Sequence, residues 1–455
     1  MTSRSCQAVC LVSVMLSTLC QGGCGLWPRD NPTDPVRCDP RCPTGLVCFE
    51  GQCTGVDNDI GPGLDIALDA GDSGPSPDHS PSDQTPSEQT SDQATPPDQT
   101  PLDLGPPCTK TLCGTTCVDT QTSQNHCGQC DRSCGGGSCT AGVCQPIVIA
   151  SGLDAPYALA VSGNGVFWAR NLVLQSCPKA SCVTPTSLTQ GGEVTPPSMG
   201  SLGFYGNMMV ADGANVFWIN KGSASNYTTI RKCAASGCTA AGAKTLVDNY
   251  TPIRQLTADA TNLYWVEHQG GAHKIALSAS SGGQGISGTT TDSEVSIAVD
   301  ATKVYVASSL IPAAGGGAYD CALTGCSGPK NILFSPAKLL AITGTTLVGT
   351  SSDKVIACTS SGCGAVPVEL AAGQTGVSAI TADSVGVYWA IRGSGTAADG
   401  SIRMCKLPTC AGGVRALAAS QAAPVGIVVD GDFVYWVNNG ITGSASSGSV
   451  LRVRR

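Results

Sequence analysis

The chain has 455 residues, a formal net charge of −8 and 13% charged residues, against roughly 25% in an average soluble domain. That is too long for one small domain, its 57 glycines suit short strands and tight turns rather than long helices, and no basic patch points to nucleic acid. Twenty-six cysteines exclude a reducing cytosol unless they bind metal, so an oxidising compartment is expected.

Residues 1–24 read as an export signal. Arg4 supplies a small positive region, Ala8 through Leu19 is mostly apolar, and small residues follow at Gly22 and Gly23. The apolar run is too short to span a bilayer, and no later stretch reaches eighteen apolar residues, so no transmembrane anchor is expected. The cysteines after residue 30 fall into groups of four, eight and ten. Cys6, Cys10 and Cys20 would leave with the signal, which makes Cys24 the odd one. Gly22-Gly23-Cys24 loosely resembles the lipobox of bacterial lipoproteins, with Gln21 where that family carries Leu or a similar residue. The resemblance implies lipid on Cys24 as the only membrane attachment. Cleavage nearby and free secretion is the alternative. Either way the expected location is extracytoplasmic, as an outer-membrane or cell-surface lipoprotein or a secreted protein.

Residues 25–53 form a small module with Cys38, Cys42, Cys48 and Cys53. So short a segment cannot enclose a core and must be stapled, and three pairings are open. Residues 54–107 hold eleven Asp and Glu, ten prolines and no Lys or Arg. This acidic, proline-rich composition predicts a disordered, extended linker, and it lacks the loop spacing of a calcium-binding EF-hand.

Residues 108–144 carry eight cysteines. The run Cys113-Gly-Thr-Thr-Cys117, then Asn125-His126-Cys127-Gly-Gln-Cys130, Cys134, Cys139 and Cys144, resembles the stigma-specific family of cysteine-rich secreted modules. That resemblance implies a disulfide-stapled extracellular module that binds partners and performs no catalysis. A zinc site on His126, Cys127 and Cys130 is the rival, but zinc needs ligands isolated from competing thiols.

Residues 146–455 repeat one phrase seven times: an apolar strand, usually an Asp, three spacer residues, then an aromatic-rich strand. The copies begin at Ser162, Asp212, Asp259, Asp300, Thr343, Asp383 and Asp430. A period of about 40–45 residues built from short strands is the signature of propeller blades. The fold class is therefore all-β, a seven-bladed β-propeller with small disulfide-rich N-terminal modules and a disordered acidic linker. The Asp-then-aromatic pattern resembles the YWTD-type propellers of lipoprotein receptors and related bacterial repeats, although no copy reads YWTD in full. Five copies carry Cys-x4-Cys, predicting the disulfides Cys177–Cys182, Cys233–Cys238, Cys321–Cys326, Cys358–Cys363 and Cys405–Cys410, each stapling an outer hairpin where its third strand meets its fourth. The last copy ends at Ser449-Val-Leu-Arg-Val453 without a fourth strand, and Pro146-Ile-Val-Ile-Ala150 is a fourth strand without a blade. Their pairing would close the ring.

A residue repeated in every blade is expected to be structural: the Asp series fixes the first turn, and the Trp series fills contacts between blades. Function should lie in departures from the repeat. The variable loops between second and third strands suggest Asn220, Tyr227, Arg392, Asn438 and Asn439 as ligand-face candidates. Blade three lacks its Cys pair and carries Glu267, His268 and His273, weak candidates for metal or acid–base chemistry. No GxSxG, HExxH or Walker motif occurs, no catalytic residue stands out, and no cofactor is expected. The composition and loops lead to a monomeric, non-enzymatic binding or adhesion protein for extracellular protein or carbohydrate, with no nucleic-acid partner. The alternative is a propeller hydrolase or lyase acting on extracellular polymers.

Overall fold

A computed structural model of the chain describes residues 108–455, apart from short segments at 181, 191–193, 198–206, 223–226, 239–241, 250, 269, 288–293, 309–315, 327–330 and 364–365, together with two strands near the N-terminus. The chain divides between Gln99 and Thr100 into two units. Of the first, the described part is an antiparallel hairpin of Leu46–Phe49 and Gln52–Gly55, with Cys48 opposite Cys53 in register. Cys24, the expected signal and residues 56–107 of the expected linker lie outside the described residues, while Thr54 and Gly55 end the second strand of the hairpin.

The second unit contains seven four-stranded antiparallel sheets, six of them simple meanders and the seventh completed by a strand from the start of the domain. Strands are lettered A to D in each sheet from the axis outward. Blade 1, for example, is Ala158–Ser162, Gly165–Arg170, Val173–Pro178 and Thr186–Ser187. The A strands touch their neighbours in an unbroken circle, that of blade 7 (Pro424–Asp430) against that of blade 1. Among the described residues there is no helix, and so none long and apolar enough to cross a membrane.

Ring closure follows the expected route. Strand C of blade 7 is Gly448–Arg454, and its outer neighbour is Ile147–Leu153 from the start of the domain. Val450 lies opposite Ala150 and Leu451 opposite Val148. The first and last strands of the propeller thereby share one sheet, and Gly448–Arg454 is covered on both sides.

Between blades the core is aromatic. Trp168, Trp218, Trp265, Trp389 and Trp436 are the largest fully buried side chains, at most 2% exposed. Each Trp sits on a B strand, where period-2 alternation turns it into the inter-blade layer.

The five Cys-x4-Cys pairs are bonded, with Cα separations of 4.6 to 5.4 Å. Their position differs from the expected outer-hairpin staple. The second cysteine lies inside the C–D connection, before strand D begins: Cys326 precedes Asn331–Phe334, and Cys410 precedes Arg415–Gln421. Five residues complete only one tight turn, seen as the bridges Ala322–Gly325 and Thr359–Gly362. The chain then docks sideways before starting strand D. Cys238 N–H donates to Leu188 O at 2.9 Å, and Cys326 N–H to Ile286 O at 2.9 Å, both on the preceding blade. The disulfide loops of blades 2 and 4 thus tie neighbouring blades together.

The eight-cysteine segment pairs as Cys108–Cys117, Cys113–Cys130, Cys127–Cys139 and Cys134–Cys144. The sulfurs of Cys127, Cys134 and Cys144 lie within 4.8 Å of one another. All three are disulfide-bonded, so they are not available as thiolate ligands for zinc. Cys127, Cys134, Cys139 and Cys144 share a buried cluster with Tyr388, Leu417, Trp436 and Leu451, so the segment packs on blades 6 and 7. Gly135 is needed at this contact. Its φ is +60°, and a Cβ there would run into the Phe433 ring.

Candidate functional site

The repeated Asp residues hold the A–B turns. Asp259 Oδ1 accepts the N–H groups of Thr261 and Asn262, both at 2.7 Å. Asp300 Oδ1 does the same for Thr302 and Lys303 at 2.7 Å. Asp212 and Asp383 repeat the pattern. The second carboxylate oxygens of Asp259 and Asp300 accept the hydroxyls of Tyr264 and Tyr305 at 2.6 and 2.7 Å. Burial alone would raise these two carboxyl pKa values. The tyrosine hydroxyls and turn N–H groups outweigh it and hold both below the usual carboxylate range. The carboxylates are consumed by turn geometry.

A meander places A–B and C–D connections at one end of every blade, and B–C and D–A connections at the other. The A–B turns have two or three residues in all seven blades. The B–C connections run from two residues, after Arg170, to nine, after Asn438. The irregular surface therefore lies on the B–C and D–A face.

Of the ligand-face candidates from the sequence, Asn220 and Asn438 are drawn inward on that face. Asn220 is 5% exposed, and its Oδ1 accepts Thr195 N–H at 2.6 Å. Asn438 is 4% exposed and donates to Gln421 Oε1 at 2.9 Å and Ser449 Oγ at 3.1 Å. Asn439 donates to Pro156 O at 3.1 Å, tying the blade-7 loop to blade 1. Tyr227 O accepts Gly222 N–H at 2.7 Å and closes the blade-2 loop. Arg392 is half-buried beside the 393–399 loop. These side chains shape the loops.

Two charged residues that the sequence reading passed over lie on the innermost strands of this face. Arg254, in strand A of blade 3, is 2% exposed, and Glu294, in strand A of blade 4, is 0% exposed. Tyr319 Oη donates to Glu294 Oε1 at 3.2 Å. Arg254 occupies a β-bulge between Ile253 and Gln255, and the A strands of blades 4, 6 and 7 bulge at the matching place. A bulge re-aims the inserted side chain. His268 follows directly, and burial, helped by the Arg254 charge, lowers its pKa. Simple alternation does not foresee an inserted residue, although two charges at the starts of apolar A strands were a visible irregularity.

Blade three separates its other candidates from His268. Glu267 and His273 meet at its outer side, with His273 Nε2 3.3 Å from Glu267 Oε1. Trp265 Nε1 donates to the same oxygen at 2.8 Å, and Thr251 Oγ1 to Oε2 at 2.7 Å. The His273 ring stacks on Trp265 with centroids 5.4 Å apart. These residues floor a cavity of about 450 Å³, walled by the outer strand of blade 2 and the C–D turn of blade 3. His268 does not line this cavity and is influenced instead by the Arg254 charge, while its backbone N–H donates to Pro252 O at 2.8 Å.

Fold and bridges together define the class: a disulfide-rich, all-β seven-bladed propeller. No family model matches the chain, and no curated protein does. Among solved structures it is similar to the WD40 β-propeller domain of Doa1, at 12% identity and a TM-score of 0.48, over 68% of this chain and 96% of that chain. BamB from Moraxella catarrhalis matches at 13% identity and a TM-score of 0.38, over 66% and 83% of the two chains. A computationally designed protein, Ika8, matches at 13% identity and 0.43, over 68% and 98%. The fold assignment rests on the chain's own strand pairing.

Proposed function

We propose that this chain is an exported, monomeric, non-enzymatic binding protein that presents the B–C and D–A face of its propeller to a protein or carbohydrate ligand. The observation that carries the reading is the contrast between the two ends of the blades. One end is uniform, with the carboxylates of Asp212, Asp259, Asp300 and Asp383 committed to turns, while the other bears B–C connections of two to nine residues on a closed ring. Nine disulfides among the described residues fit an oxidising, extracytoplasmic setting. Residues 54–107 would act as a spacer from the surface, whether the chain is lipidated at Cys24 or released. Kinship with YWTD-type repeats and with stigma-specific modules belongs to the same proposal and rests on the residues quoted for it.

A second reading, a propeller hydrolase or lyase for extracellular polymers, draws on one observation. Arg254 and Glu294 are buried on neighbouring inner strands, with His268 close enough to feel the Arg254 charge. Perturbed groups near a central channel are where propeller chemistry would be sought.

A screen of the full chain, purified from an oxidising compartment, against cell-wall, polysaccharide and protein ligands separates the two. Saturable binding that ignores a chelator and leaves ligands intact is the expected result. Ligand breakdown that disappears in Glu294→Gln would overturn it.

A further inference from the structure

Six of the seven blades have a C–D turn, and five of those turns carry a disulfide. Blade 3 is the exception, and its outer strand is reduced to Gln284–Gly285. Gly285 lies opposite His273, and Gly283 lies so close to Trp265 that a Cβ would come within 2.8 Å of the indole. The outer strand therefore lays no side chain over Trp265 or His273. The cavity of about 450 Å³ opens beside this short strand.

Its chemistry is one-sided. His273 Nε2 lies 2.9 Å from Gly270 O and 3.3 Å from Glu267 Oε1. Both neighbours only accept, so Nε2 carries a proton, and in the neutral ring Nδ1 keeps its lone pair. Nδ1 has no hydrogen-bond partner among the described residues. Glu267 is 6% exposed and accepts from Trp265, Thr251 and His273, which leaves it oriented behind the imidazole. Asp248 faces this floor from the exposed outer strand of blade 2, and no Lys or Arg lines the cavity among the described residues. The cavity offers acceptors and negative charge with no fixed cation.

We propose that the cavity between blades 2 and 3 binds the ammonium or guanidinium end of an alkyl-amine ligand. His273 Nδ1 and the Asp248 carboxylate accept its N–H groups, and Glu267 is a positioning residue that fixes the His273 tautomer. A polyamine and a lysine or arginine side chain in a peptide share this chemistry. The cavity adjoins the B–C and D–A face at Glu267, and the amine it takes is a ligand beyond the one read for that face.

The test is calorimetric titration of the full chain near pH 8, with spermidine in one arm and acetyl-Gly-Lys-Gly-amide and acetyl-Gly-Arg-Gly-amide in the other. Saturable one-to-one binding in at least one arm is expected. It should weaken about tenfold or more in His273→Phe, which keeps the stack on Trp265, and in Asp248→Asn. Nitrogen-15 NMR of the imidazole should report the Nε2–H tautomer, and Glu267→Gln should shift that tautomer balance while the thermal transition persists. If His273→Phe does not fold, Asp248→Asn decides, because Asp248 is exposed. Absence of saturable binding in both arms, or equal affinity in wild type and Asp248→Asn, would overturn the proposal. So would nickel or zinc binding at His273 that neither amine displaces, which would assign a metal instead.

Discussion

Asp259 and Asp300 each hold two turn N–H groups and a tyrosine hydroxyl, and this coupling has a pH signature. Their folded-state pKa values are held below the unfolded carboxyl value, which is about 3.9. The stabilisation is therefore complete above that pH and is lost as pH falls through the folded values. Denaturant midpoints should stay level from neutral pH to about pH 5 and fall below about pH 4, with part of that fall missing in Asp259→Asn/Asp300→Asn. Superimposable curves for wild type and variant would contradict the assignment. At neutral pH, Asp259→Ala should cost about 1–2 kcal/mol, since several hydrogen bonds to a charged acceptor are lost at a half-exposed turn. Much of this scale was legible in the sequence, because an Asp recurring at the same turn in five of seven copies has a structural reason. The asparagines show where the reading fell short. Asn438 stands two residues after Trp436, and Glu267 two after Trp265, so strand alternation puts each on the same face as a buried indole. Counting parity from the Trp would have turned Asn220 and Asn438 inward. Arg254 escapes even that rule, because a bulge breaks the count.

At the scale of elements, blades are joined mainly by aromatic layers, with the disulfide loops in a smaller role. Trp389 is fully buried, and its Nε1 donates to Gln374 Oε1 at 3.0 Å on the connection from the preceding blade. Trp389→Ala should lower unfolding free energy by about 3–5 kcal/mol. The double variant Cys405→Ser/Cys410→Ser should cost less than about 3 kcal/mol, because a small loop restricts the unfolded chain less than a fifteen-residue loop does. A chemical denaturation series on these variants checks the ranking, and an equal or larger loss for the cysteine pair would reverse it. The Cys-x4-Cys spacing revealed that the bridges exist but not what they connect. A five-residue step looks like a hairpin staple until the length of the C–D connection and its bond to the neighbouring blade are known.

For the whole molecule, closure was readable because an unpaired strand at each end of the repeat is an incomplete sheet. Val450 is fully buried where the two ends meet. Val450→Asp should cost at least about 3 kcal/mol by burying an unpaired charge, and should bring aggregation through the exposed edges. The tight packing of the eight-cysteine segment on blades 6 and 7 was not legible, since nothing in a cysteine count identifies the surface it covers. The Arg455 side chain adds a further tie, pairing with Asp383 and donating to Tyr388 Oη at 3.2 Å in blade 6. With one end of every blade uniform and the other variable, the central functional claim is that ligands bind at the variable end. Hydrogen–deuterium exchange of the full chain, with and without a ligand from the binding screen, tests it most directly. Protection concentrated in residues 391–400 and 439–448, with the A–B turns at Asp259 and Asp300 unchanged, is the predicted result. Protection centred on those turns, or on the disulfide loops, would contradict it.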